Sequence, residues 1–141
     1  MTACALSAAE TRLFRAGFLV AAIWNFTGAV PGVLDPVGMF AREFGQALTD
    51  PVQIAIFRGA WVTALLYGFG FIAVAMQPAR HTGVVAMGGL GKALFAGNLG
   101  IMYWNGWTSD LVVLVILGDI AFSAFFIAYF VRLRRRGIAL L

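Results

Sequence analysis

The sequence alternates between long apolar runs and short polar connections, and this pattern is the first indication of the fold. A hydrocarbon core about 30 Å thick requires about 20 apolar residues for each helical crossing. Four runs of that length occupy most of the 141 residues. We therefore expect an all-α membrane protein, a single domain over residues 1–141 built as a four-transmembrane-helix bundle. The predicted membrane helices cover residues 7–34, 51–76, 82–104 and 109–132, with bounds that are approximate.

Polar residues at the ends of the apolar runs indicate where the helices begin and end. Ser7 and Glu10 have the spacing of a capping box, so the first helix should begin near Ser7. Pro31, Gly32 and the dipeptide 35–36 are expected to end it. The later membrane helices are expected to begin at these capping residues: Asp50, Thr82, and either Ser109 or Asp110.

A segment between the first two crossings has a different pattern. Over residues 36–48, apolar positions recur at helical spacing on the side opposite Arg42, Glu43 and Gln46. A segment this short cannot cross a bilayer, but its amphipathic character suits the membrane surface. We predict a short surface helix between helices 1 and 2, with Glu43 on its polar face.

The distribution of basic residues predicts the orientation in the membrane. One face of the bundle carries seven of them, whereas the other face carries Arg42 alone. Basic residues concentrate in cytoplasmic segments, so we expect both termini to be cytoplasmic in a multi-pass protein of the cell inner (plasma) membrane. The seven residues are Arg12, Arg15, Arg80, Arg132, Arg134, Arg135 and Arg136.

Composition excludes several classes of function. Only 11% of the residues are charged, against about 25% in soluble domains. The net charge of +4 comes mainly from membrane-flanking arginines, so we expect lipid rather than nucleic acid as a partner. Cys4 is the only cysteine and His81 the only histidine, which excludes an internal disulfide, a bis-histidine haem and a multi-histidine zinc site within one chain. We expect no cofactor and no metal, and either a homo-oligomer or a place in a larger membrane complex.

Two charged residues inside the apolar runs are expected to meet. Lys92 lies about 14 Å along the third crossing, and Asp119 lies about 12 Å along the fourth crossing from the opposite face. In a core about 30 Å thick these depths nearly coincide, so an antiparallel hairpin would pair the two side chains near the midplane. Neighbouring glycines are expected to let the two helices approach closely: Gly88, Gly89, Gly91 and Gly118.

Arg58 and Asn25 are the other polar residues that we select inside the apolar runs. Together with Lys92 and Asp119 they are the candidate residues of a substrate-binding site or ion pathway. Each has a structural alternative: the long Arg58 side chain can extend to the membrane surface, and Asn25 can donate an interhelical hydrogen bond. The pair of Lys92 with Asp119 can equally be a brace that fixes which helices face each other.

Five further residues are assigned structural roles. Asn98 and Ser123 are expected to form interhelical hydrogen bonds, as polar residues in membrane helices commonly do. The other three, Trp24, Trp61 and Tyr67, are expected to contribute packing rather than cofactor contacts.

Short motifs give the sequence a resemblance to a known group. In their order and spacing they resemble small four-helix bacterial membrane proteins, and the layout, including the surface helix after the first crossing, resembles the DoxX-like group. This resemblance implies, as an alternative function, a quinone-linked redox component, because DoxX-like relatives include subunits linked to quinone-dependent sulfur oxidation. It supplies no catalytic motif for this sequence. The motifs are Pro78-Ala79-Arg80, Gly88-Gly89-Leu90-Gly91-Lys92 and Gly118-Asp119.

These observations lead to one hypothesis with two alternatives. The leading hypothesis is a non-enzymatic four-helix bundle in which Lys92 and Asp119 bind or pass a small polar or ionic species. The first alternative is an accessory or assembly subunit of a larger membrane complex, in which the pair is architectural. The second is the redox component that the DoxX-like resemblance implies.

Overall fold

Five α-helices make up the regular structure of the protein, for which a computed structural model describes residues 5–140. Four of the helices, α1, α3, α4 and α5, are long and apolar enough to cross a membrane. The predicted four-helix membrane bundle, with a short helix between its first two crossings, is confirmed. The bounds are α1 Ala8–Leu34, α2 Pro36–Phe44, α3 Pro51–Met76, α4 Thr82–Trp104 and α5 Leu111–Arg135.

The two ends of the described chain lie on the same face of the bundle. Glu10 at the start of α1 pairs with Arg132 and Arg136 at the end of α5. We call this side, with the turn 77–81, the terminal face. The opposite side, which carries α2 and the connection 105–110, is the α2 face.

Helix α1 packs antiparallel to α3, and α4 packs antiparallel to α5. Aromatic side chains hold these two helix pairs together. In the half of the bundle nearer the terminal face, the Phe18 ring stacks on Phe126 with centroids 5.5 Å apart and on Phe71 at 6.3 Å. Tyr129 is fully buried beside them and its hydroxyl donates a hydrogen bond to the Pro78 carbonyl. One side chain therefore ties α5 to the turn between α3 and α4.

Local sequence explains several of the helix ends. The capping box is present, since the Ser7 hydroxyl accepts from the Glu10 N–H and the Glu10 carboxylate accepts from the Ser7 N–H. Asp50 caps α3 by accepting from the N–H of Gln53 at 2.8 Å. The first helix ends as predicted, at Leu34 just before Asp35-Pro36, with Pro31 in its last turn, where the Pro31 carbonyl accepts from the Asp35 N–H.

Two details of the predicted helix ends are wrong. Thr82 does not cap α4: it is the first helical residue and is buried, while His81 occupies the cap position without a side-chain bond. The fourth membrane helix continues past residue 132 to Arg135, because exposed arginines are good helix formers that favour the negative end of the helix dipole.

The short helix α2 differs from its prediction in length and in orientation. It ends at Phe44 rather than near residue 48, because Gly45 adopts a left-handed conformation with φ of 65° and closes the helix. The Glu43 side chain is buried instead of lying on an exposed polar face. Ser109, from the connection before α5, donates its N–H to the Glu43 carbonyl and its hydroxyl to the Arg42 carbonyl, each at 2.7 Å. These bonds fasten α2 across its face of the bundle.

Candidate functional site

The structure brings Lys92 of α4 and Asp119 of α5 into direct contact. The Lys92 Nζ lies 2.7 Å from the Asp119 Oδ1, and the two residues are only 8% and 4% exposed. The predicted contact is confirmed. A single charge at the centre of a membrane helix costs about 2.5 to 3.5 kcal/mol on insertion scales. The contact between Lys92 and Asp119 offsets this cost for both side chains.

A third side chain, Trp24 of α1, completes this buried centre. Its indole Nε1 donates a hydrogen bond of 3.0 Å to the same Asp119 Oδ1. Trp24 was expected to contribute packing rather than a cofactor contact; it does lie against Phe122, and it also donates this hydrogen bond, which the sequence did not predict. Its position next to Asn25, level with the two charges, was the available signal in the sequence. We refer to Lys92, Asp119 and Trp24 as the buried centre.

A glycine on α5 makes room for the tryptophan. A methyl group added at Gly118 would lie 2.2 Å from the Trp24 Cζ2, which is far inside contact distance. Gly118 therefore lets α1 approach α5, rather than α4 as predicted. Of the glycines on α4, Gly88 faces Phe71 of α3 and Gly91 faces open space. Only Gly89, which faces Phe126, makes the predicted kind of approach to α5.

The buried centre retains unused hydrogen-bonding capacity. Trp24 and Lys92 both donate their hydrogen bonds to the Oδ1 atom of Asp119. Among residues 5–140 no group donates a hydrogen bond to its Oδ2 atom. The Lys92 ammonium has three N–H groups, of which the contact with Asp119 uses one. The same ammonium lies 5.4 Å from the centroid of the Phe122 ring, which favours a positive charge.

The structure places the other two candidate site residues away from the centre. The Asn25 side chain donates to the Ala64 carbonyl of α3 at 2.9 Å, which confirms the predicted interhelical hydrogen bond. Arg58 is exposed on the outside of α3, and within the described part of the chain it forms no ion pair. This exposed position agrees with the structural alternative for Arg58.

The interhelical hydrogen bonds predicted for two other residues are wrong. Ser123 donates its hydroxyl to the Asp119 carbonyl one turn earlier on the same helix. The Asn98 amide points to the sulfur of Met102, also on its own helix, at 3.7 Å. Hydroxyl groups in helices commonly form this backbone contact, which leaves them unavailable to a neighbouring helix.

Sequence reasoning missed a buried carboxyl group at the α2 face. Glu43 is 4% exposed, and none of the side-chain hydrogen bonds among the described residues involves its carboxyl group. Burial raises the pKa of Glu43 from 4.5 to about 7, although the nearby Arg42 offsets part of the increase. The residue occupies a polar position in an amphipathic pattern, so the sequence alone gave no sign of its burial.

The pKa of Glu43 predicts a pH-dependent attachment of α2. Because the folded pKa lies above the unfolded value, the charged form opposes folding: stability falls as pH rises from about 4.5 through about 7 and is constant above that range. Amide hydrogen exchange in α2 should therefore be faster at pH 8 than at pH 5, after correction for intrinsic exchange. Glu43→Gln should make amide exchange in α2 equally fast at pH 8 and at pH 5. Asp110→Asn is the control, because it removes an exposed carboxyl group from the same face. This variant should keep the faster amide exchange of α2 at pH 8. Equal pH dependence in wild type and Glu43→Gln would contradict the assignment.

Acidic and other metal-binding side chains are dispersed over the structure. Among residues 5–140, no three or more His, Cys, Asp or Glu side chains lie close enough together to hold a metal ion. Cys4 lies outside the described residues. The chemistry of the buried centre is therefore that of one ammonium, one carboxylate and one indole N–H group.

Comparisons with known proteins do not identify a family for this chain. The resemblance to the DoxX-like group thus stays a prediction. The chain matches no protein-family model, no curated protein and no solved structure.

Proposed function

We propose that this membrane protein binds or passes a small polar or ionic species at the buried centre. The unused hydrogen-bonding capacity of Asp119 and Lys92 is the observation that carries the proposal. A brace would be best served by a carboxylate with both oxygens satisfied, because an unsatisfied polar atom in the membrane interior is costly. Here one carboxylate oxygen and two ammonium hydrogens remain for a guest.

The three side chains would have distinct roles. Asp119 accepts from a guest, or takes up a proton when Lys92 moves away, as carboxylates in transporters commonly do. Lys92 neutralises the carboxylate in the absence of a guest and can donate to an anionic or carbonyl oxygen. Trp24, whose position depends on the space at Gly118, holds the Asp119 carboxylate in one orientation while a guest replaces Lys92 as its partner.

Proton movement in liposomes tests this proposal. Protein reconstituted with an entrapped pH dye should move protons under an imposed pH gradient, and Asp119→Asn should abolish that movement because its amide cannot titrate. Asp110→Asn is the matched control: it makes the same change in the connection before α5, outside the centre, and should keep wild-type flux. Equal flux in wild type and Asp119→Asn would contradict a role for the centre in proton movement.

An accessory subunit is the second candidate function, and one feature of α4 favours it. Ala93 and Gly97 form an exposed pair of small residues at i and i+4, and the space facing Gly97 and Gly100 is open. Small residues at this spacing let membrane helices of different chains approach closely. Purification in mild detergent distinguishes the candidates, because an accessory subunit should bring its partner with it or lose stability alone.

The inner membrane is the proposed location, with the terminal face in the cytoplasm. Seven arginines on that face and Arg42 alone on the other support this orientation. In a protein whose Cys4 is replaced by serine, a cysteine at Thr108 should react with an impermeant thiol reagent applied to intact cells. A cysteine at His81 should react only after the membrane is permeabilised. Labelling at position 81 in intact cells would reverse the orientation.

A further inference from the structure

A groove at the terminal face lies between α1 and α3. Its volume is about 400 Å³, and one charged side chain and four apolar ones line it. Arg15 lies nine residues before Trp24 on α1, or about 14 Å along the helix. Since half of the hydrocarbon core is about 15 Å thick, a centre near the midplane places Arg15 at the boundary between lipid chains and headgroups. The lining residues are Arg15, Leu19, Ile72, Ala75 and Met76.

The Arg15 guanidinium is oriented by a single contact. Its Nε donates to the carbonyl of Ala75, 3.2 Å away in the last turn of α3, where carbonyl groups have no partner in the helix. Four of its five N–H groups remain, on the two terminal nitrogens. Among residues 5–140 no carboxylate pairs with Arg15, and Glu10, the acidic side chain of this face, is held by Arg132 and Arg136.

We propose that this groove binds one anionic phospholipid of the adjacent leaflet. The terminal nitrogens of Arg15 would bind the phosphate in two-point fashion, the geometry that guanidinium favours. An acyl chain would lie along Leu19 and Ile72, about one helical turn deeper in the core. Charge complementarity selects the lipid class, because this face carries seven arginines against one side-chain carboxylate. The proposal does not depend on the function proposed for the buried centre.

Competition between two lipids tests the groove. The protein in mixed micelles is titrated with dioleoylphosphatidylglycerol or with dioleoylphosphatidylcholine, and bound lipid is counted by native mass spectrometry. Wild type should retain one tightly bound phosphatidylglycerol in preference to phosphatidylcholine. Arg15→Gln should weaken that binding about fivefold, since one basic residue near the surface contributes about 1 kcal/mol. Equal retention of the two lipids by wild type would overturn the proposal.

Matched variants separate the groove from general surface charge. Arg134→Gln removes one exposed positive charge from the same face, away from the groove, and should leave the tight binding unchanged. Leu19→Trp fills the groove without changing any charge and should also weaken binding, which keeps the test valid if Arg15→Gln perturbs α3. Equal losses in Arg15→Gln and Arg134→Gln, or full binding by Leu19→Trp, would show that the groove is not the site.

Discussion

Replacing Lys92 with alanine should lower the free energy of unfolding by about 3 to 5 kcal/mol, since it leaves Asp119 charged and buried without its partner. Asp119→Ala should cost a similar amount for the same reason. The double variant should be less damaged than the sum of the two changes, and less damaged than either change alone, because no uncompensated charge remains.

The measurement is an unfolding titration with SDS in mixed micelles for wild type, both single variants and the double variant. Trp24→Phe provides a graded comparison, since it removes the neutral N–H donor to Asp119 and keeps the ion pair. Its loss should be about 1.5 to 3 kcal/mol, the range for a hydrogen bond to a charged group. Additive losses for Lys92→Ala and Asp119→Ala would show that the two side chains do not stabilise each other.

Gly118→Ala should destabilise the bundle by about 1 to 3 kcal/mol, because the new methyl group collides with the Trp24 ring. Gly91→Ala is the matched control: nothing lies within 4 Å of its added methyl group. That variant should be unchanged or more stable by up to about 1 kcal/mol, since alanine favours the helix.

The same unfolding titration, repeated in a Trp24→Phe background, identifies the atoms that collide. Phenylalanine lacks the outer part of the indole ring, so Gly118→Ala should cost less in that background than in wild type. Equal costs for Gly118→Ala and Gly91→Ala would contradict the close approach of α1 and α5.

The sequence was sufficient for the architecture because the bilayer imposes simple requirements. Apolar length determines the number of crossings, and caps such as Asp50 before Pro51 determine where helices begin. The burial of Glu43 could not be predicted, because a tertiary contact, the attachment of α2 to Ser109, overrides the amphipathic pattern.

Part of the buried centre could also be predicted from the sequence. Depth along two antiparallel helices was enough to pair Lys92 with Asp119, because rise per residue and core thickness are nearly constant. Depth does not give rotation about the helix axis. For that reason Trp24 was assigned to packing, and Gly118 was matched with the wrong neighbouring helix.

The fluorescence of Trp24 tests most directly whether the buried centre is a working site. With the tryptophans at positions 61, 104 and 107 replaced by phenylalanine, Trp24 is the single tryptophan, and its indole N–H contacts Asp119. Reconstituted protein is titrated across pH and with sodium, potassium, chloride and phosphate. We predict that pH or one of these ions shifts the Trp24 emission, and that Asp119→Asn abolishes the shift while the protein stays folded. Identical flat curves for both proteins would contradict the account and leave the accessory subunit as the better-supported function.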